Sequence, residues 1–152
     1  MQLGDFKEDF NNSYLTRDPE VAKILYTDPK SNFDFTLNGL YGFFKSVQYS
    51  CESSNFTKIR KDLPILFVSG QNDSFGSNGG AVEKCFNMMK SLGCLDVTMK
   101  LFENDRHEIL QEPDKTDVYE YIQIWMEKKS LINNNINKED SLYNSIDIEI
   151  KT

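Results

Sequence analysis

An uninterrupted apolar run near the middle of the chain constrains its fold more than any other feature. Pro64 is followed by Ile65-Leu66-Phe67-Val68, without alternation of polar and apolar residues. A strand covered on one face alternates, so this run predicts a strand that is buried on both faces, as in a parallel sheet. Residues 97–102 predict a second strand.

Helical patterns follow both predicted strands. The first pattern ends at Gly93, a residue suited to closing a helix, and its apolar positions are Val82, Cys85, Phe86, Met89 and Leu92. A last helix starts near Asp114 and runs through Trp125. The order strand, helix, strand, helix predicts a doubly wound α/β unit, because a helical crossover connects parallel strands.

Two further helices are predicted before this unit. Asp18 precedes Pro19, a combination typical of a helix start, and the helix must stop before Pro29. A second helix is indicated by apolar residues at helical spacing, namely Leu37, Leu40, Tyr41, Phe44 and Val47.

The chain thus divides into three parts by sequence pattern: residues 1–57, 58–129 and 130–152. The last part contains Asn133-Asn134-Asn135 and few large apolar residues, so we expect a flexible tail. The alternation over Ile146–Ile150 allows a short edge strand within it.

Composition limits the kinds of molecule that the chain is expected to bind and the compartment in which we expect it. The chain has 17 basic and 24 acidic residues, a net charge of -7, so nucleic acid is not an expected partner. It has no apolar run long enough for a transmembrane segment and no secretory leader, so we expect a cytoplasmic protein, with peripheral membrane association as an option. Its three cysteines lack C-x-x-C spacing, which predicts free, mostly buried thiols and no zinc site.

Two residues at the predicted strand ends could carry chemistry. Asp73 follows the first strand and His107, the single histidine, follows the second. Loops at the carboxyl ends of parallel strands converge, so the two side chains could meet there. A carboxylate beside an imidazole fixes the ring tautomer and helps it to activate a nucleophile. The structural alternatives are a turn-forming aspartate and a surface histidine.

The stretches Lys61–Asp73 and Asp105–Leu110, with the closing helix through Trp125, resemble the C-terminal portion of an α/β-hydrolase. Within that superfamily they are similar to the lysophospholipase and monoacylglycerol-lipase group, often labelled serine-aminopeptidase-like. The resemblance implies an α/β fold of parallel strands with flanking helices, in which Asp73 is the catalytic acid and His107 the base. Residues 1–57 resemble the end of a helical cap that covers the active site.

One element of that group's triad does not occur in the sequence. Its nucleophile lies in a G-x-S-x-G turn, and no such pattern exists among the 152 residues; Gly76-Ser77-Asn78-Gly79 has different spacing and follows the acid. We therefore expect a partial serine hydrolase that is inactive alone, needing its missing N-terminal half or a self-association partner. The implied substrates are acyl esters or lysolipids.

Other interpretations remain open at this stage. The chain could be a non-catalytic remnant that binds a lipid or protein partner, or a nucleotide-binding module with a glycine-rich loop at 70–80. We expect no cofactor. We also expect no metal, since the acidic side chains near His107 suit a solvated loop better than a metal cluster; they are Glu103, Asp105 and Glu108. Four aromatic residues could line an acyl-chain pocket, although core packing is their commoner role; they are Phe33, Phe35, Tyr41 and Phe44.

Overall fold

A computed structural model describes residues 10–31 and 33–131. The helices are α1 (Pro19–Thr27), α2 (Leu37–Ser50), α3 (Ser53–Phe56), α4 (Gly80–Ser91) and α5 (115–131), and the strands are β1 (Ile65–Gly70) and β2 (Val97–Phe102). Single 3-10 turns occur at Phe10–Asn12 and Ile109–Gln111. The chain divides into two compact units, Met1–Lys115 and Thr116–Thr152. The predicted edge strand, and all of the predicted tail beyond Leu131, lie outside the described residues.

The two strands form the parallel sheet that the sequence predicted. Ile65 pairs with Val97 at one end and Gly70 pairs with Phe102 at the other. The helix between them, α4, contacts both strands. It ends close to Gly93, whose φ of +85° is a left-handed conformation that glycine adopts without strain. These elements confirm the α/β class.

The prediction that β1 is buried on both faces is wrong for most of its length. Ile65 to Val68 are only half-buried, whereas Ser69 and Gly70 are buried. Within residues 10–31 and 33–131, the sheet has two strands, so each strand has one edge without a neighbour there. An apolar run indicates that both faces of a strand are apolar, but the number of neighbouring elements determines how much of the strand is buried.

The start of α1 is as the sequence predicted. The Asp18 side chain accepts hydrogen bonds from the backbone N–H groups of Glu20 (3.0 Å) and Val21 (3.2 Å), and Pro19 occupies the first helical position. This arrangement satisfies donors that have no partner within the helix. The helix ends at Thr27, two residues before Pro29.

The apolar residues of α2 are exposed. Thr36 caps this helix by accepting a hydrogen bond from the Gly39 N–H at 3.1 Å. Core packing was the commoner expectation for four aromatic residues, but all four are more than half exposed. They are Phe33, Phe35, Tyr41 and Phe44. Some of them contact one another instead, since the ring centroids of Phe33 and Phe35 lie 5.0 Å apart.

The cysteines are free, but the expectation that most are buried is wrong. Cys94 is buried, whereas Cys51 and Cys85 are exposed. On α4 the buried position is Met89. None of the helices formed by the described residues is both long enough and apolar enough to cross a membrane.

Candidate active site

The loop after β1 holds Asp73 in a buried position. Its side chain is largely excluded from solvent, and Oδ1 accepts a hydrogen bond from the Phe75 N–H at 2.9 Å. The neighbouring Asn72 donates its backbone N–H to the Asp105 carbonyl at 2.8 Å. The acid-bearing loop is therefore attached directly to the loop that follows β2.

Gly70 allows these two loops to approach closely. A Cβ at this position would lie 2.2 Å from the Arg106 carbonyl oxygen and 2.3 Å from that of Asp105. No carbon atom tolerates such distances, so only glycine fits while the backbone stays in place. The last residue of β1 thus brings the backbone before His107 against the strand that leads to Asp73.

The structure brings His107 and Asp73 together. His107 Nδ1 lies 3.1 Å from Asp73 Oδ2, and the His107 side chain is 42% exposed while that of Asp73 is 9% exposed. A carboxylate can only accept, so Nδ1 is the donor in this contact and carries the ring proton. The second ring nitrogen, Nε2, is then the one able to accept a proton.

Aromatic rings line one side of the imidazole. The Phe75 ring lies 5.0 Å from the His107 ring, centroid to centroid, and Tyr14 meets Phe75 edge-on at 5.1 Å. Burial raises the pKa of the Tyr14 phenol, and the nearby Tyr26 and Glu108 raise it further. Tyr14 is therefore a neutral neighbour of the site at physiological pH.

The segment before α1 supports the histidine loop through backbone hydrogen bonds. The His107 N–H donates to the Tyr14 carbonyl at 3.4 Å, and the Glu108 N–H donates to the Leu15 carbonyl at 2.7 Å. The Arg106 guanidinium donates through Nη1 to three carbonyls of the same segment, those of Asn11, Ser13 and Thr16. Residues 11–17 and 105–108 therefore behave as paired segments.

Arg17, the last residue of the first segment, binds three carboxylates. Its Nη2 lies 2.6 Å from Asp105 Oδ1 and 2.5 Å from Asp114 Oδ1, and its Nε lies 3.1 Å from Glu112 Oε2. Burial lowers the pKa of Arg17, but the carboxylates, with Glu112 the strongest, outweigh it and raise the pKa above its ordinary value. The guanidinium therefore stays charged.

Asp105 corrects the expectation of a solvated acidic loop. Its side chain is 1% exposed, and its Oδ2 is buried without a hydrogen-bond partner. Burial, followed by repulsion from Asp114 and Glu112, raises the pKa of Asp105 to about 6 despite the opposing effect of Arg17. Of the other two acidic residues considered from the sequence, Glu103 is exposed and Glu108 is half-buried.

The acidic group that the structure assembles differs from the one considered in the sequence. Carboxylate oxygens of Asp105, Glu112 and Asp114 lie within 4.8 Å of one another. Arg17 contacts all three, so a protein cation already offsets part of their negative charge. No local pattern indicates the contact of this cluster with Arg17, because Arg17 and Glu112 are 95 positions apart.

A parallel β-α-β unit with a carboxylate and an imidazole paired at its strand ends is consistent with part of an α/β-hydrolase fold. The family model described as serine aminopeptidase, S33, matches residues 2–114. The chain belongs to this family and therefore to the α/β-hydrolase superfamily, as its sequence predicted. Among curated proteins, none matches the chain.

Proposed function

We propose that this chain supplies the acid and the base of a serine hydrolase that cleaves carboxylic esters, of the lysophospholipase and monoacylglycerol-lipase type. One observation carries the proposal: His107 Nδ1 contacts the buried Asp73 Oδ2 at 3.1 Å, in loops that follow adjacent parallel strands. Membership of a hydrolase family supports it. Residues 1–57 would form the end of a cap and residues 58–129 the core segment that carries both groups.

In this mechanism His107 accepts the proton of a serine hydroxyl through Nε2 as the serine oxygen attacks the ester carbonyl. Asp73 holds the ring in the tautomer that leaves Nε2 free to accept, and its charge stabilises the imidazolium that forms. His107 then returns the proton to the leaving alcohol. Water then attacks the acyl-enzyme, again with His107 as the base. This step releases the carboxylic acid product and restores the serine hydroxyl.

The nucleophile would come from another polypeptide segment. The 152 residues contain no G-x-S-x-G turn, and Ser77 lies in the exposed loop after the acid with a φ of +53°. The residue after the nucleophile also supplies an oxyanion-hole donor in this fold. A segment that bears the elbow would therefore complete both the triad and the oxyanion hole.

Reconstitution tests this proposal. The full chain is mixed with an N-terminal hydrolase segment that carries a G-x-S-x-G elbow, and hydrolysis of a monoacylglycerol is measured. We expect turnover only from the mixture. His107→Ala should lower kcat by about 10⁶-fold and Asp73→Asn by about 10⁴-fold, as in other triads.

The matched control is Glu103→Gln, which makes the same carboxyl-to-amide change on an exposed side chain of the histidine loop. It should leave kcat unchanged. A fluorophosphonate probe should label the added segment and not the 152-residue chain. Turnover that persists in His107→Ala would contradict the proposed base, and labelling of the chain itself would contradict an external nucleophile.

An amide bond is the second candidate target. The family's description as serine aminopeptidase favours it, and the triad chemistry is the same for both acyl groups. Comparing kcat/KM for an acyl ester with that for an aminoacyl anilide in the reconstituted mixture distinguishes them. We expect the ester to be preferred, and a preference for the anilide would favour the peptidase alternative.

A further inference from the structure

Glu112 connects the histidine loop to the segment before α1. It is fully buried, and its Oε1 accepts the Arg106 N–H at 2.7 Å. Its Oε2 accepts the backbone N–H of Arg17 at 3.0 Å and the guanidinium Nε–H at 3.1 Å, with the Thr16 hydroxyl at 3.3 Å. One carboxylate therefore holds the residue that precedes His107 and Arg17 of the other segment.

The mechanism proposed above makes no use of this carboxylate. None of the hydrogen bonds described for Glu112 reaches the imidazole, and Asp73 already orients the ring. The position of the histidine backbone, however, depends on the pairing of residues 105–108 with residues 11–17. Glu112 lies outside both segments and accepts a backbone N–H from each of them.

We propose that Glu112 is a positioning residue, which keeps His107 within reach of Asp73 by bridging the Arg106 backbone to Arg17. This inference rests on the proposed function, since it concerns the histidine of that site. It assigns to the bridge a role in the geometry of the base, beyond its contribution to stability.

The chemistry of the bridge requires a carboxylate. Both of its oxygens accept, and donors face both of them. An amide has one accepting oxygen and one donating nitrogen, so in either orientation a glutamine would place N–H groups against the donors on one side. Glu112→Gln keeps the shape of the side chain and must still break one half of the bridge.

The single histidine gives this inference a specific measurement. Ring nitrogen chemical shifts of the full chain report the tautomer of His107 at about pH 8.5, where an ordinary imidazole is neutral. The wild type should show the Nδ1–H tautomer, because Asp73 only accepts. In Glu112→Gln, signals of the Nε2–H tautomer should appear, and amide exchange at His107 and Glu108 should accelerate by about tenfold or more.

Two further variants separate the possible explanations. Asp73→Asn should reverse the tautomer, because an asparagine can donate to Nδ1. Asp114→Asn is the matched control: Asp114 also binds Arg17, yet its described hydrogen bonds reach neither Arg106 nor Thr16. It should leave both the tautomer and the amide exchange unchanged.

Each outcome decides between the two proposals. If Asp73→Asn reverses the tautomer and Glu112→Gln leaves it unchanged, the positioning role is wrong and the acid–base pair stands. If Asp73→Asn has no effect, the pair itself is not formed. An Asp114→Asn spectrum like that of Glu112→Gln would overturn the bridge in favour of a general effect of Arg17.

Glu112→Gln could unfold the chain, which circular dichroism would detect. Glu112→Asp then decides the question, since it keeps both accepting oxygens but is one methylene too short to reach the N–H groups of Arg106 and Arg17 together. A folded Glu112→Asp chain should show the same changes at a smaller amplitude. A wild-type tautomer and wild-type amide exchange in that variant would overturn the positioning role.

Discussion

Replacing Gly70 by alanine tests how closely the two site loops approach each other. The added Cβ would lie 2.2 Å from one backbone carbonyl oxygen and 2.3 Å from another, about 1 Å inside an ordinary carbon–oxygen contact. Neither oxygen belongs to a flexible side chain, so the strands or the histidine loop must move. Overpacking commonly costs about 1–3 kcal/mol, and two backbone contacts place this site at the upper end, about 3 kcal/mol.

Thermal unfolding followed by circular dichroism measures this cost. For a chain of this length, 1 kcal/mol corresponds to about 2–4 °C in Tm, so Gly70→Ala should lower Tm by about 6–12 °C. Gly42→Ala is the matched control, because a Cβ there meets no atom within 4 Å. It lies in α2, where alanine should add up to about 1 kcal/mol of stability. A Gly70→Ala chain that melts with the wild type would refute the close approach of the loops.

Two further predictions concern single side chains. Asp18→Ala removes the cap of α1 and should lower the free energy of unfolding by about 1 kcal/mol, measured by urea denaturation; an unchanged midpoint would mean that the cap contributes nothing. Because burial raises the pKa of Asp105 from 3.8 to about 6, the folded state holds its proton more tightly, and the stability from this group is full below about pH 4 and is lost as pH rises through about 6. Wild type should lose up to about 3 kcal/mol relative to Asp105→Asn over that window in urea titrations, and a difference that does not vary with pH would contradict this assignment.

Local patterns predicted the elements that carry the site. The strand at Val97–Phe102 has the predicted bounds, and α1 begins where an aspartate precedes a proline. Capping and apolar runs act over a few residues, so the sequence records them directly. The same patterns predicted that Asp73 and His107 could meet if the two strands were adjacent, because parallel strands bring their carboxyl ends to one edge.

Features that depend on distant neighbours could not be predicted in this way. Glu112 lies in a polar stretch before a proline, where nothing indicates that it is fully buried against Arg17. Asp105 looked like a solvated loop residue for the same reason. The exposure of the α2 aromatics likewise depends on which elements surround the helix, and periodicity identifies only the side that is apolar.

The two strands end at the same level of the sheet, which limits where residues can be inserted or deleted. Gly70 stands opposite Phe102, and the acid and the histidine follow at short, fixed intervals. Deleting one residue from either strand would draw its loop back by about 3.3 Å and turn every following side chain to the opposite face. An insertion or deletion in β1 or β2 therefore separates the acid from the histidine, whereas a length change between residues 28 and 60, outside the paired segments 11–17 and 105–108, leaves their alignment intact.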